Sequence, residues 1–357
     1  MNNLKFKLLI VVSCLLLAVS AADAANSIDL GVAGVGARPM AMGRAGVALS
    51  DDVNAVFSNP AGLGTQKAWG LTSMTTKLMD RVEYKMLGGT YPTEFGTFGV
   101  GYLSASTPAG YLTTDKASIS GALQAISYDS SMLILSYGRD LNEAIKNSGS
   151  IGKLSAGASF KAISNQFEGT DGSGTGSSAD VGLIYKPNAT VSTGLTFQNV
   201  GGSINWKNGT KEDMPLTTKL GGAVNLSKVA LAGDIEYSSG TSLVHGGVEY
   251  RPFDGIALRA GIDQSALSRS ESTFSYSGGV GVKMSGFSFD YAYRQDGTLA
   301  SNSTHYFSIS FQPEVRSSNI EQRTSSNDTG VIDGVYKITK KVSTDTSSDK
   351  SILSYYQ

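Results

Sequence analysis

A closed antiparallel transmembrane β-barrel of about fourteen strands, an all-β fold, is what this sequence predicts, and three observations carry the prediction. Apolar or aromatic residues tend to recur at every second position in fourteen segments between residues 66 and 313. The connections between those segments largely alternate short and long. An export signal opens the chain, yet no later stretch approaches the roughly 18 uninterrupted apolar residues of a membrane-spanning helix.

The export signal comes first. Lys5 and Lys7 precede an apolar run from Leu8 to Ala18, and Ala22-Asp23-Ala24 supplies a small-x-small cleavage site, so residues 1–24 read as a signal peptide. Cys14 is the only cysteine and leaves with it, so the exported chain has neither a disulfide framework nor a thiolate. With 29 Lys+Arg against 30 Asp+Glu, no basic surplus points to nucleic acid. His245 and His305 are the only histidines, neither in a metal-binding spacing, so no metal or other cofactor is expected. Forty-three glycines without a collagen period fit tight strand packings and turns.

The barrel is assigned to 66–313. In 286–295, Phe287, Phe289, Tyr291 and Tyr293 face one way, and Ser288, Asp290, Ala292 and Arg294 the other. Lys228–Glu236 sets Val229, Leu231 and Ile235 against Asp234 and Glu236, and Gly255–Asp263 sets Ile256, Leu258 and Ile262 against Arg259 and Asp263. The other strands are expected near 67–78, 82–91, 97–106, 127–138, 151–166, 178–187, 190–200, 216–226, 242–251, 273–284 and 303–313. Alternation alone also suits a soluble sandwich with its apolar face buried. The export signal, the even strand count, the loop lengths and the aromatics near strand ends (Tyr102, Tyr128, Tyr137, Tyr185, Phe197, Tyr237, Tyr250, Phe311) favour the barrel. Its apolar residues then face lipid, and Asp234, Glu236, Glu249, Arg259, Asp263, Asp290 and Arg294 become candidate lumen-facing charges.

About eight strands already approach the limit that wall side chains can fill, so a fourteen-stranded lumen needs an occupant. Residues 25–65 are the natural plug. GARPMAMGRAGVA (36–48) is rich in small residues and Met, suited to close packing inside a wall. In DDVNAVFSNPAGL (51–63), Asp51 and Asp52 are expected to cap a short helix that Pro60 ends, with Gly62 and Gly64 turning the chain into strand one.

Together these two stretches resemble the N-terminal signature of the PorV/PorQ group, within the FadL-like superfamily of long-chain fatty-acid transporters. The resemblance implies a fourteen-stranded outer-membrane barrel with a luminal hatch centred on Asp51, Asp52, Asn59, Pro60, Ala61 and Gly62, in structural or gating roles rather than catalysis. It implies passage of hydrophobic compounds or, in the PorV branch, binding of secreted cargo for type IX secretion. The partners that follow are outer-membrane lipid, a hydrophobic ligand or a protein cargo, and the barrel assembly machinery that reads the terminal aromatic strand at Tyr306–Phe311. A purely structural outer-membrane role is the remaining alternative.

No enzyme is expected. Charged lumen residues need no catalytic explanation, and no Ser/His/Asp constellation is placed. Residues 314–357 depart from the family pattern: they are Ser/Thr/Asp/Lys-rich, their composition predicts disorder, and 331–338 is the stretch open to a periplasmic partner. An even strand number puts both termini on the periplasmic side of a diderm outer membrane.

Overall fold

The computed structural model describes residues 30–314 apart from Asp80, 112–124, 143–151, 168–171, 267–271 and 298–302. The signal peptide and the tail beyond Glu314 lie outside the described residues.

Fifteen strands follow one another: β1 Gly70–Leu78, β2 Val82–Thr93, β3 Gly96–Tyr111, β4 Ala125–Asp140, β5 Lys153–Phe167, β6 Gly174–Lys186, β7 Val191–Trp206, β8 Lys211–Asp213, β9 Thr217–Asn225, β10 Val229–Ser238, β11 Thr241–Tyr250, β12 Ile256–Ala266, β13 Ser272–Met284, β14 Phe287–Gln295 and β15 Ser303–Phe311. All but β8 form one closed antiparallel ring of 14 strands. β1 pairs with β2 on one side and β15 on the other, from Leu71↔Phe311 to Thr76↔Tyr306, so the sheet has no free edge. At the other junction β7 pairs with β9 over Val191–Gln198. Above that point Asn199 and Gly201 adopt positive φ, and β7 pairs instead with the short β8.

β8 is the strand that the alternation did not reveal, because three residues are too few to show a period. The expected loops also shrink in places. β3 reaches Tyr111 and β4 begins at Ala125, inside the gap between the strands expected at 97–106 and 127–138. Two hairpins close through two-residue turns, Ser239-Gly240 and Ser285-Gly286. Both residues of each have positive φ, which matches the right-handed twist of the flanking strands.

The alternation sorts inside from outside as lipid demands. Leu71, Leu87, Val100, Leu133, Leu135, Phe160, Leu231, Ile235, Leu258, Val280, Phe289, Phe307 and Ile309 all lie on the outer surface, each 38 % exposed or more. Their neighbours one position along point into the lumen and are buried or half-buried. In water this exterior would be an apolar patch far larger than a soluble monomer carries; against acyl chains it is the favourable arrangement. Tyr137, Tyr185, Tyr250 and Phe311 sit near strand ends on the outer face as expected. Tyr128 does not: its ring turns to the luminal side, packs 4.5 Å from Phe167 and donates to Asn165 Oδ1.

Candidate functional site: the occupied lumen

Residues 30–66 fill the lumen. They form a coil with one turn of α-helix (Ala37–Ala41) and three 3₁₀ turns (Leu30–Ala33, Val53–Val56 and Pro60–Thr65). The coil follows the inner wall in two passes, from β15 to β7 over Ala37–Ala48 and then from β1–β3 at Val53–Phe57 onward. Ala37–Ala41 lies on β12–β15, Met42 and Gly43 lie on β11 and β12, Gly46 and Val47 meet β9 and β10, Asn59 and Pro60 meet β5 and β6, and Leu63 reaches β4. It then enters β1.

The wall is shaped for it. At the level of the coil, inward-facing glycines occur on eleven ring strands: Gly70, Gly88, Gly99, Gly138, Gly157, Gly182, Gly194, Gly221, Gly247, Gly261 and Gly279. A methyl group at Gly194 would lie 2.5 Å from the Val47 carbonyl oxygen, and one at Gly138 2.5 Å from that of Pro60. The three remaining strands offer Asp234 on β10, Ala292 on β14 and Ser308 on β15. Part of the glycine excess is thus a groove for the coil, which lays its backbone against Gly138, Gly157, Gly194, Gly247 and Gly261 and side chains against the others.

A buried coil with little regular structure must find partners for its peptide groups, and wall side chains supply them. Ser308 Oγ accepts from the Ala37 amide at 3.2 Å, and Ser277 Oγ from Gly43 at 3.2 Å. Asp234 Oδ2 takes both the Gly46 and Val47 amides, while Ser192 donates to the Ala48 carbonyl at 2.9 Å and Gln198 to that of Ser58 at 3.1 Å. Tyr84 donates to the Leu30 carbonyl at 3.0 Å.

Local chemistry in 51–63 differs from the expectation in three respects. Asp52 alone caps the first 3₁₀ turn, accepting from Asn54 N at 2.8 Å, whereas Asp51 pairs with Arg38. Pro60 starts a second turn rather than ending the first, with extended Asn59 as its cap accepting from Ala61 N at 3.1 Å, because proline's missing N–H costs nothing there. Gly62 and Gly64 do not turn the chain; they let it press on the Ser50 and Arg139 backbones. Asn59 is fully buried and its Nδ2 spans the coil and the wall, donating to the carbonyls of Val47 (3.0 Å) and Leu183 (3.3 Å). Ala61 is buried in the same contact.

All seven candidate lumen charges point inward, and the structure divides them into groups. Arg38 Nη1 lies 2.8 Å from Asp51 and 3.1 Å from Asp52, while its Nε reaches Glu249 at 3.1 Å. Arg259 braces Glu249 at 2.8 Å and Asp290 at 2.6 Å. A second group joins Glu236 to Lys219 (2.9 Å), to buried His245 (3.3 Å) and to Arg44 of the coil (3.8 Å). Arg294 and Asp263 form a separate two-pronged pair at 3.0 and 2.7 Å. Within the coil, Asp51 above all holds the Arg38 guanidinium firmly protonated, and burial pushes the Asp52 carboxyl above the ordinary carboxylate range against the pull of Arg38.

Sequence reasoning missed Arg38, Arg44, Lys219 and His245. A signal was available for the first two: with Asp51 and Asp52 they are the only charged side chains in 30–66, so inside a wall they had to find partners.

The opposite half of the lumen is apolar. Met74, Met86, Leu103, Met132 and Ile163 are direct cross-strand neighbours on β1–β5 and form one continuous inward row. Each is 5 % exposed or less. The row packs against Leu30, Val35, Met40 and Phe57 of the coil. Between the halves lies a cavity of about 60 Å³, bounded by Met40, Phe57, Leu103, Met132 and Ile134 on one side and by Arg44, Lys161, Lys219 and Glu236 on the other.

These features define a class: a fourteen-stranded barrel with a lipid-facing exterior and a lumen occupied by its own N-terminal segment. Solved structures share the fold. The chain is similar to the CymD monoaromatic hydrocarbon channel, with a TM-score of 0.59 and 18 % identity over 81 % of this chain and 99 % of that one. It is also similar to the TodX monoaromatic hydrocarbon channel in its deltaS2 mutant (TM-score 0.55, 15 % identity, 81 % and 100 % covered) and in its deltaS2S3 mutant (0.57, 16 %, 78 % and 99 %). No family model matches the sequence, and no curated protein matches it significantly. At these identities the likeness is one of fold.

Proposed function

We propose that this chain is an outer-membrane barrel of a diderm bacterium, both termini periplasmic, that passes hydrophobic small molecules through a lumen gated by residues 30–66. The observation that carries the reading is the inward apolar row Met74–Met86–Leu103–Met132–Ile163, of which Leu103 and Met132 border the cavity. A passage lined by thioethers and aliphatic chains adapts to apolar ligands of varied shape. The hydrocarbon-channel fold and the FadL-like N-terminal motif support the same reading. At about 60 Å³ the cavity is smaller than the ~150 Å³ void that accepts benzene. The structure is therefore a closed form, and a ligand has to displace side chains of the coil or the row.

The test is uptake. Vesicles carrying the purified protein should admit small aromatic or alkyl compounds faster than empty vesicles, and mild detergent extracts should hold lipid-like molecules by mass spectrometry. Equal rates together with clean extracts would overturn the reading.

A PorV-like role, binding secreted protein cargo through the loops, is the second reading. The attachment of the coil around the ring favours it, since a sealed barrel presents loops rather than a pore. Under that reading pull-down from intact cells recovers exported proteins and vesicle uptake is nil.

A further inference from the structure

The groove is costly, because an interior glycine weakens the strand that holds it. Plugging alone does not require it; side chains from the wall and the plug would fill a lumen equally well. We infer that the coil is the internal form on which the ring closes, so that residues 30–66 set the circumference of the barrel as well as occupying it. This assignment is independent of what passes through the lumen.

Three observations carry it. The coil bridges the seam of the ring. At its start the Ala37 amide donates to Ser308 of the last strand at 3.2 Å, and its later part packs Val53 against Gly70 of the first strand. It also keys into the wall at distances that leave no room for a Cβ, Val47 at Gly194 and Pro60 at Gly138. A ring of one strand more would pull the wall off the backbone, and a ring of one fewer would collide with it, since barrel diameter grows with strand number. Lastly, the coil's amides and Arg38 find their partners on late strands, among them Asp234 on β10 and Glu249 on β11. Seating is therefore complete only when the C-terminal half of the wall is in place.

The experiment uses the full-length chain refolded into detergent micelles. Heat-modifiable gel mobility reports closure, and trypsin cleavage at Arg44 reports an unseated coil. Gly138→Ala and Gly194→Ala are combined in one variant, and the outward-facing Gly222→Ala and Gly233→Ala in another. Space beside Gly222 is open, and the atom nearest a methyl at Gly233 is 3.7 Å away. Alanine suits a strand better than glycine does, so a wall that closed on its own would profit from both changes. Expected is a loss of heat-modifiable product of about tenfold or more in the inward variant, from backbone collision, with the outward variant matching the wild type. Three results would overturn the inference. They are a closed inward variant that trypsin cuts at Arg44, inward and outward variants that both close with the coil protected, and equal loss in both.

Discussion

Asp234 Oδ2 accepts the Gly46 amide at 2.7 Å, joining a strand of the wall to the middle of the luminal coil through one carboxylate oxygen. The same oxygen takes the Val47 amide at 3.0 Å, so one buried charge serves two peptide groups of a segment that lacks regular hydrogen bonding. Replacing it leaves both amides without an acceptor. Asp234→Ala is expected to destabilise the coil by about 1.5–3 kcal/mol, the range for hydrogen bonds to a charged group. Hydrogen exchange at Gly46 and Val47 checks it: protection should fall there and hold at the barrel strands.

Arg38 joins two coil carboxylates to one of the wall. Arg38→Met would leave Asp51, Asp52 and Glu249 facing one another, with Arg259 and Arg251 beside Glu249. The loss should be roughly 2–3 kcal/mol, less than the ~3–5 of a fully buried pair because Arg38 is partly solvated. Chemical unfolding midpoints measure it, and an unchanged midpoint would show that the network adds nothing.

Asp52 supplies a pH dependence of defined sign. Its carboxyl pKa is raised on folding, so the folded chain takes up this proton at a higher pH than the unfolded chain does. The group therefore weakens the fold most above its folded pKa. That penalty fades as pH falls from there toward the ordinary value of about 3.9. Across this window the wild type should gain stability relative to Asp52→Asn. A difference between their unfolding midpoints that stays flat with pH would contradict it.

Leu103 and Met132 border the cavity from the apolar side. Leu103→Ala or Met132→Ala should cost about 2–5 kcal/mol and leave added void. The pair together should bring the cavity near the ~150 Å³ that holds a benzene ring. Ligand-dependent thermal shift with benzene or toluene is the readout: a rise in the variants, little in the wild type.

The outer surface makes its own prediction. Leu133 lies near the middle of β4 facing out, 45 % exposed, whereas Phe253 lies in the tight turn between β11 and β12. Leu133→Arg should reduce folding into lipid vesicles by about 2–4 kcal/mol and Phe253→Arg by about 0–1, the midplane and interfacial ranges. Equal costs would argue against a bilayer around these strands.

The ring was largely legible because a membrane enforces the two-residue period on both faces. In Phe287–Gln295 every outward residue is apolar or long, and the inward ones include both charges. Strand edges, β8 and the local turns around Pro60 were not legible, since a residue or two carries no period. The glycines were legible only as a total, which suggested tight strand packings and turns without placing them. Their meaning lies in parity. Gly157, Gly182, Gly194 and Gly221 each fall on the inward alternation of their strand, which shows only once the alternation has been assigned. Individual ion pairs were hidden as well, because they join residues such as Arg38 and Glu249, 211 positions apart.

Attachment and apolar lining fall on different staves of this cask. Strands β6–β15 bear most of the polar ties to the N-terminal segment, while the methionine row belongs to β1–β5. Substitutions that reshape the oily side leave those moorings intact, so a descendant of this scaffold can acquire a new preference for molecular size by altering a third of its circumference.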